Sequence, residues 1–284
     1  MTPGATPVPG VAPVPGAGPG AARVRVRLAR DSWIIARRDL QHWAARPGPV
    51  IITLLFPVLI LVMFGYLFGG ALLVPGGGSY RAFLVPGMFV AAVLFGIETT
   101  MTAVTTDRLR GVTDRFRSLP MAGGAVVAGR CLADMLGSAL GLAVLLGVGL
   151  ATGWRDHDGA GRLTLAVALL LLLRFALLWL GIYLGLVVKG PEAVAGVQIL
   201  VWPLAFLSGI FVAPSTMPAW LGAIAAWNPL SATATAVRHL SGDPGVTGSS
   251  WAAGHAIELA AGWPLLITAV FAPLAARRYR RLDR

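Results

Sequence analysis

The sequence predicts an all-α polytopic membrane protein, and three observations lead to that fold class. Of the 284 residues, 56% are hydrophobic and only 12% are charged, whereas an average soluble domain has about 25% charged residues. The mean hydropathy is +0.76. Several apolar runs also exceed the roughly 18 residues that a helix needs to cross a bilayer. Together these features exclude a soluble globular fold.

Six apolar runs are predicted to be membrane-spanning helices, which make residues 49–276 one transmembrane domain. Each run contains about 20 residues or more, enough at 1.5 Å per residue for the ~30 Å hydrocarbon core. The predicted spans are 49–69, 83–104, 124–152, 162–188, 193–213 and 256–276.

The basic residues predict the orientation of these spans. Of the 23 basic residues, one lies within a span and four fall on one side of the spans. These four are Arg81, Arg155, Arg162 and Arg238. All the others fall on the opposite side. Because connections rich in Lys and Arg stay in the cytoplasm, both termini are predicted to be cytoplasmic. The preference for arginine over lysine is typical of GC-rich genomes, so the expected location is a bacterial plasma membrane.

Both ends of the chain lie outside the predicted transmembrane domain. Residues 1–22 are rich in Pro and Gly and carry no charged side chain. Such a composition buries no core, so this segment is predicted to be a disordered cytoplasmic tail. Residues 277–284 are predicted to be a short basic cytoplasmic tail.

The segment 23–48 is predicted to be an amphipathic helix in the membrane interface. Tryptophans on an apolar stripe, with arginines on the remaining surface, are typical of a helix that lies in the headgroup region. The stripe consists of Val26, Ala29, Trp33, Ala36, Leu40 and Trp43.

The segment 105–120, between spans two and three, is predicted to be a short amphipathic cytoplasmic helix. Its apolar residues recur every three or four positions and share one face, while alternating acidic and basic residues cover the opposite face. The apolar face either docks on another protein or packs against the interfacial helix of the same chain. The apolar set is Leu109, Val112, Phe116 and Leu119, and the charged set is Asp107, Arg110, Asp114 and Arg117.

Three blocks of residues, in a fixed order along the chain, carry a family resemblance. The first is Arg110–Gly111 with Asp114–Pro120 and Val127–Arg130, the second is Gly185–Leu186 with Pro191–Val194, and the third is Pro203–Val212 with Met217–Pro218, Trp220–Leu221 and Asn228–Pro229. Together they resemble the type-2 ABC exporter permeases, and most closely the daunorubicin-resistance type of membrane subunit. The resemblance covers the chain from about Val26 to the C-terminus.

The resemblance implies a dimeric permease, either a homodimer or a heterodimer, that works with separate ATPase subunits. The chain itself would bind no cofactor, because ATP would be held by the partner. Segment 105–120 would be the coupling helix in an ATPase groove, residues 26–46 an interfacial elbow, and the stretch after span five would form short re-entrant helices. The implied ATPase contacts are Leu109, Arg110, Val112, Asp114, Arg115, Phe116 and Arg117.

One of these short helices is also predicted from local chemistry. Asn228 is a favourable N-cap, and Pro229 suits the first helical position. A helix is therefore expected over residues 229–240.

Ionisable residues within the spans are candidates for function. Arg174 lies near the middle of span four, where an arginine costs about 2.5–3.5 kcal/mol on insertion scales. Glu98 and Asp134 are the acidic partners within the neighbouring spans. Either these side chains form a polar lining that meets the substrate, or Arg174 forms a structural ion pair. We favour the ion pair.

No catalytic, cofactor-binding or metal site is predicted. The sequence has no Gly-x-x-x-x-Gly-Lys-Ser/Thr motif and no Gly-x-Ser-x-Gly motif, and its four histidines lack ligand spacing. The basic residues follow membrane topology, so nucleic acid is not an expected partner. The leading hypothesis is the permease subunit of an ATP-driven exporter for an amphipathic drug-like, antibiotic-like or lipid-like compound. The alternatives are a lipid-modifying membrane enzyme and a secondary transporter.

Overall fold

The computed structural model describes the chain from residue 21 to residue 281, apart from residues 46, 73, 75–76, 111–124, 157, 189 and 244–249. Every regular element in this described part is a helix. The helices are α1 Ala21–Ala45, α2 Pro47–Leu67, α3 Tyr80–Leu109, α4 Ala125–Ala151, α5 Ala160–Val187, α6 Pro191–Phe206, α7 Ala219–Ala226, α8 Pro229–Ser241, α9 Trp251–Gly254 and α10 Ala256–Arg281, with a 3-10 turn at Pro214–Thr216.

Five of the described helices are long and apolar enough to cross a membrane, namely α2, α3, α4, α5 and α10. They confirm five of the six predicted spans. The remaining one, predicted over 193–213, is a 16-residue helix that ends at Phe206. Just beyond it, the Ser208 hydroxyl donates to the carbonyl of Ala205 at 2.6 Å and accepts from the amide of Ile210 at 3.3 Å. Such local bonds compete with the helical ladder and turn the chain.

The core of the bundle lies where α3 and α5 pack against each other, and glycines bring the two backbones close. A Cβ at Gly185 would lie 2.9 Å from the carbonyl oxygen of Met101, and one at Gly181 would lie 3.1 Å from that of Ile97. Small residues at such contacts increase packing between helices in lipid, where hydrophobic burial adds little. The distance between the two backbones at these glycines is therefore fixed by steric contact.

The two ends of the bundle are held by different polar contacts. At one end Arg108 donates to the carbonyl of Leu186 at 2.7 Å and to that of Val188 at 2.9 Å, and we call this the Arg108 end. At the other, the Tyr80 hydroxyl donates to the carbonyl of Phe211 at 3.2 Å, and we call this the Tyr80 end. The short helices α7, α8 and α9 lie at the Tyr80 end.

Helix α1 packs along the first half of α4, and its buried face differs from the predicted stripe. A Cβ at Gly129 of α4 would lie 2.6 Å from the carbonyl oxygen of Ser32. The buried residues of α1 include Ser32, Ile35 and Ala36, whereas Trp33 is 53% exposed. The placement of this helix in the membrane interface stays a prediction: Trp33 of the predicted stripe is exposed, while Ala36 of the same stripe is buried. The glycines of α4 accept both small and large residues of α1, since a Cβ at Gly137 would lie 2.7 Å from the ring of Trp43.

The helix predicted over 229–240 is confirmed as α8, and its cap forms as expected. The Asn228 side chain accepts from the amide of Leu230 at 2.9 Å, and Pro229 occupies the first helical position. The Asn228 amide also donates to the carbonyl of Leu207 at 3.2 Å. This second bond fixes α8 to the turn that follows α6.

Candidate functional site within the membrane-spanning bundle

Arg174 lies in the middle of α5 and is 2% exposed. Its Nε donates to the Ser138 hydroxyl of α4 at 2.7 Å, and its Nη2 donates to the Thr100 hydroxyl of α3 at 2.9 Å. The same Nη2 lies 3.7 Å from a carboxylate oxygen of Asp134. A single guanidinium thus joins three of the spanning helices.

The hydroxyl of Thr100 links the two charged side chains by hydrogen bonds. It accepts from Arg174 and donates to the Asp134 carboxylate at 2.9 Å. Gly96, one turn away on α3, provides the space, since a Cβ there would lie 2.9 Å from the guanidinium carbon. The ion pair and these hydrogen bonds offset much of the cost of ionised groups in the interior of a span, although Nη1 of Arg174 is buried without a hydrogen-bond partner among the described residues.

Glu98 lies apart from this cluster, although the sequence offered it as an alternative partner for Arg174. It follows Gly96 by two residues, which places it about 160° away around the helix. Its carboxylate accepts from the side-chain amide of Gln198 on α6 at 2.7 Å. Of the three intramembrane candidates, the structure therefore brings Arg174 and Asp134 together and separates Glu98 from both.

Arg238 was missed as a site residue, because the sequence analysis counted it only as a charge on the outer side. It is 1% exposed, and its guanidinium donates to the carbonyls of Phe83 at 3.0 Å, Gly209 at 2.7 Å and Ile210 at 3.1 Å. The guanidinium carbon also lies 3.6 Å from the centre of the Phe83 ring. Arg238 therefore connects α8, the start of α3 and the turn after α6.

Acidic charge near Arg238 comes from Asp243. The charge of this carboxylate acts on the guanidinium, and its two oxygens accept from the Trp154 indole at 3.0 Å and 2.9 Å. The sequence offers no stripe that includes Arg238, since it lies about 100° around the predicted helix from Val237 and about 160° from Leu240. The carbonyls that the guanidinium contacts lie on segments about 30 and 155 residues away in the sequence, and no local pattern specifies them.

The predicted coupling helix is only partly described. Its first residues are the end of α3, where the Thr105 hydroxyl donates to the carbonyl of Gly185 at 3.3 Å, so the prediction of a separate helix beginning at 105 is wrong there. Leu109 ends α3 and is 61% exposed, and Arg110 is also exposed. The other predicted ATPase contacts lie outside the described residues, namely Val112, Asp114, Arg115, Phe116 and Arg117.

The end of α3 is firmly attached to the rest of the bundle. Arg108 donates to the carbonyls at the end of α5, as described above, and Asp107 forms an ion pair with Arg130 at the start of α4. The exposed Leu109 and Arg110 therefore extend from an anchored helix end.

Comparison with known proteins assigns this helical bundle to a family. Residues 30–240, which run from α1 through α8, match the ABC-2 type transporter family. The chain belongs to the ABC-2 type transporter family. This confirms the resemblance drawn from the three sequence blocks, because the matched region contains all of them.

Two relatives of this ABC-2 type transporter chain are drug-resistance permeases by name. The daunorubicin resistance ABC transporter permease protein DrrB1 of Streptomyces coeruleorubidus is 40% identical over 235 residues, which cover 82% of this chain and 80% of that protein. The probable doxorubicin resistance ABC transporter permease protein DrrC of Mycobacterium tuberculosis is 23% identical over 220 residues, which cover 78% of this chain and 80% of that protein. The similarity thus extends along most of all three proteins.

The region that matches the ABC-2 type transporter family, residues 30–240, also contains every polar contact described above except those of Asp243. Arg174, Asp134, Glu98 and Arg238 all lie between residues 30 and 240. The candidate site is therefore part of the region on which family membership rests.

Proposed function

We propose that this chain is the permease subunit of an ATP-driven exporter that moves an amphipathic antibiotic-like compound out of a bacterial cell. The observation that carries the proposal is the 40% identity, along four fifths of each chain, to a daunorubicin resistance permease. The sequence contains no phosphate-binding Gly-x-x-x-x-Gly-Lys-Ser/Thr motif, and in this proposal a separate subunit binds and hydrolyses ATP. The permease works as a dimer.

The end of α3 is the route by which the ATPase acts on the membrane helices. The exposed Leu109 and Arg110 begin the segment that contacts the ATPase, and the anchored α3 passes a displacement of this segment to α5 through Arg108. Coupling between distant sites travels through packed elements of this kind. Phe116 supplies the apolar anchor of the contact, since buried aromatics often dominate small interfaces.

The topology that fits this role has six crossings and both termini in the cytoplasm. Helix α5 ends at the Arg108 end, whereas α10 starts at the Tyr80 end, where it packs against α8 and α9. The chain must cross the membrane between these two points, and α6 with the turn after it makes that crossing. Helices α7 and α8 are then re-entrant from the outer face.

Co-purification of the ATPase tests the proposal. An affinity-tagged full-length chain, isolated from membranes of its own host in mild detergent, should carry a stoichiometric polypeptide with vanadate-sensitive ATPase activity. The double substitution Leu109→Ala with Phe116→Ala should reduce this activity about tenfold without lowering the amount of permease in the membrane. Leu265→Ala, which truncates a similarly exposed leucine on α10, is the matched control and should change nothing.

Two outcomes would contradict the proposal. A chain that purifies without ATPase activity under conditions that preserve its native oligomer would remove the exporter function. A double variant that retains full ATPase activity would show that segment 105–120 is not the contact.

A further inference from the structure

Helix α1 has a buried face and an exposed face on opposite sides of its axis. The buried face contains Ser32, Ile35 and Ala36. It lies against α4, where a Cβ at Gly129 would be 2.8 Å from the Cβ of Ile35. This contact fixes the rotation of α1 and therefore decides which of its side chains face away from the protein.

The exposed face combines positive charge with large apolar side chains. Trp33 is 53% exposed and Ile34 is 52% exposed, and Arg30, Arg37 and Gln41 are exposed as well. At about 100° per residue these five side chains fall within an arc of about 100°, on the side of the helix away from α4. We call these five residues the exposed face of α1.

The exposed face of α1 lies at the depth where the spans begin. Ser32 of α1 approaches Gly129 of α4, and the neighbouring Arg130 forms an ion pair with Asp107 at the Arg108 end of the bundle. Helix α2, a candidate span, starts at Pro47, two residues after α1 ends. The exposed face of α1 therefore borders the lipid headgroups at this end of the bundle.

The charge of α1 complements an anionic membrane surface. The helix contains six arginines and two aspartates. The aspartate whose side chain is described, Asp31, lies about 100° around the helix from Arg30 and is only partly exposed. A guanidinium binds phosphate oxygens in a bidentate geometry, and tryptophan favours the membrane interface. An anionic headgroup leaves its phosphate charge uncompensated, whereas a zwitterionic headgroup carries its own cation.

We propose that the exposed face of α1 is a binding surface for anionic phospholipids. Arg30 and Arg37, about two turns apart, bind the headgroup phosphates. Trp33 and Ile34, which lie between them in the sequence, contact the glycerol and upper acyl region of the same lipids. This inference goes beyond the proposed export function and does not depend on it.

Other occupants match the exposed face of α1 less well. A second copy of the chain that docked through the same face would bring arginines of both copies together, and such like charges repel. Free phosphate would match the arginines but would leave the apolar surface of Trp33 and Ile34 uncovered. An acidic protein surface would match the charge, but the face lies beside a span, at the depth of the lipid.

The experiment compares the binding of two lipids to the full-length chain by native mass spectrometry in detergent. The probes are dioleoyl phosphatidylglycerol, which is anionic, and dioleoyl phosphatidylcholine, which is zwitterionic, in equal amounts. The unmodified chain should bind the anionic lipid about tenfold more tightly, and Arg30→Gln with Arg37→Gln should reduce this preference to about twofold or less. Arg30→Lys with Arg37→Lys keeps both charges and should retain most of the preference.

Matched variants control for charge and folding. Arg277→Gln with Arg278→Gln removes the same charge from exposed positions near the end of α10 and should leave the preference unchanged. Trp33→Ala keeps both arginines and should weaken both lipids alike. If the double glutamine variant of α1 does not fold, each single glutamine variant should show about half of its effect on a logarithmic scale.

Four results would overturn the proposal: equal binding of the two lipids by the unmodified chain, an unchanged preference in the double glutamine variant of α1, an equal loss in the α10 variant, or displacement of the anionic lipid by excess inorganic phosphate. A lower dimer fraction in the double glutamine variant, with lipid binding unchanged, would assign the face to a contact between copies instead. The ATPase is absent from the assay, so none of these results bears on the export function.

Discussion

Two acidic residues at similar depth in the spans have different partners, and the difference arises from rotation around the helix axis. Asp134 approaches the buried Arg174 to 3.7 Å and shares Thr100 with it. Glu98 is two residues from Thr100 on α3, about 160° away around the helix, and accepts from Gln198 instead. Because Arg174 pairs with Asp134, this cluster joins α4 to α5, whereas the contact of Glu98 joins α3 to α6.

The Arg174 cluster predicts a charge-specific rescue. Arg174→Leu should lower the thermal unfolding midpoint in detergent, because breaking a buried ion pair costs about 3–5 kcal/mol and leaves Asp134 without its cation. Adding Asp134→Asn to this variant should restore part of the loss. The double variant Arg174→Leu with Glu98→Gln is the control and should show no recovery. Equal recovery with both acids would contradict the pairing seen in the structure.

Helix contacts in this bundle depend on where glycines allow backbones to meet. On α4, Gly129 faces the backbone of Ser32 in α1, whereas Gly147 has open space where a Cβ would point. The α3–α5 contact depends on glycines in the same way, at Gly181 and Gly185. In lipid, such close packing replaces much of the burial that drives helix association in water.

The two glycines of α4 predict effects of opposite sign for one type of substitution. Gly129→Ala should destabilise the docking of α1 by about 1–3 kcal/mol, since the new Cβ overlaps the Ser32 carbonyl oxygen. Gly147→Ala should be neutral or stabilising by up to about 1 kcal/mol, because alanine favours a helix where space exists. Thermal unfolding of the two single variants in mild detergent measures both. Similar destabilisation by both would show that the α1–α4 contact is not set by this close approach.

At the scale of the whole molecule, the polar contacts differ between the two ends of the bundle. At the Arg108 end, Arg108 donates to carbonyls at the end of α5, and Arg130 forms an ion pair with Asp107. The Tyr80 end is formed by short helices around the buried Arg238. In the proposed function, the ATPase acts at the Arg108 end.

The proposed orientation is testable by cysteine accessibility in a chain whose buried Cys131 is replaced by alanine. Ser250→Cys lies at the Tyr80 end and should react with an impermeant maleimide on intact cells, because Ser250 is exposed. Arg278→Cys, exposed near the end of α10, should react only after permeabilisation. Labelling with the reverse pattern would invert the topology.

Much of the fold and part of the candidate site follow from properties that are local in the sequence. Length and hydropathy predict five spans that the structure confirms, because any helix in lipid must satisfy its own backbone over a fixed thickness. The cap at Asn228 and the start of α8 follow from side-chain chemistry within three residues. Arg174 stands out as a candidate residue because a charge within an apolar run is costly wherever it lies.

Only the tertiary structure decides which surfaces and partners these elements use. It selects Asp134 for Arg174, buries Arg238 against carbonyls of Phe83 and the turn after α6, and turns Trp33 of α1 outward. It also ends α6 at Phe206. For the spanning helices the physical reason is that hydropathy is nearly uniform around the axis, so rotation and tilt are set by packing against neighbours rather than by a pattern in the sequence. For α1 and α8 the reason is that the groups they pack against lie far away in the sequence.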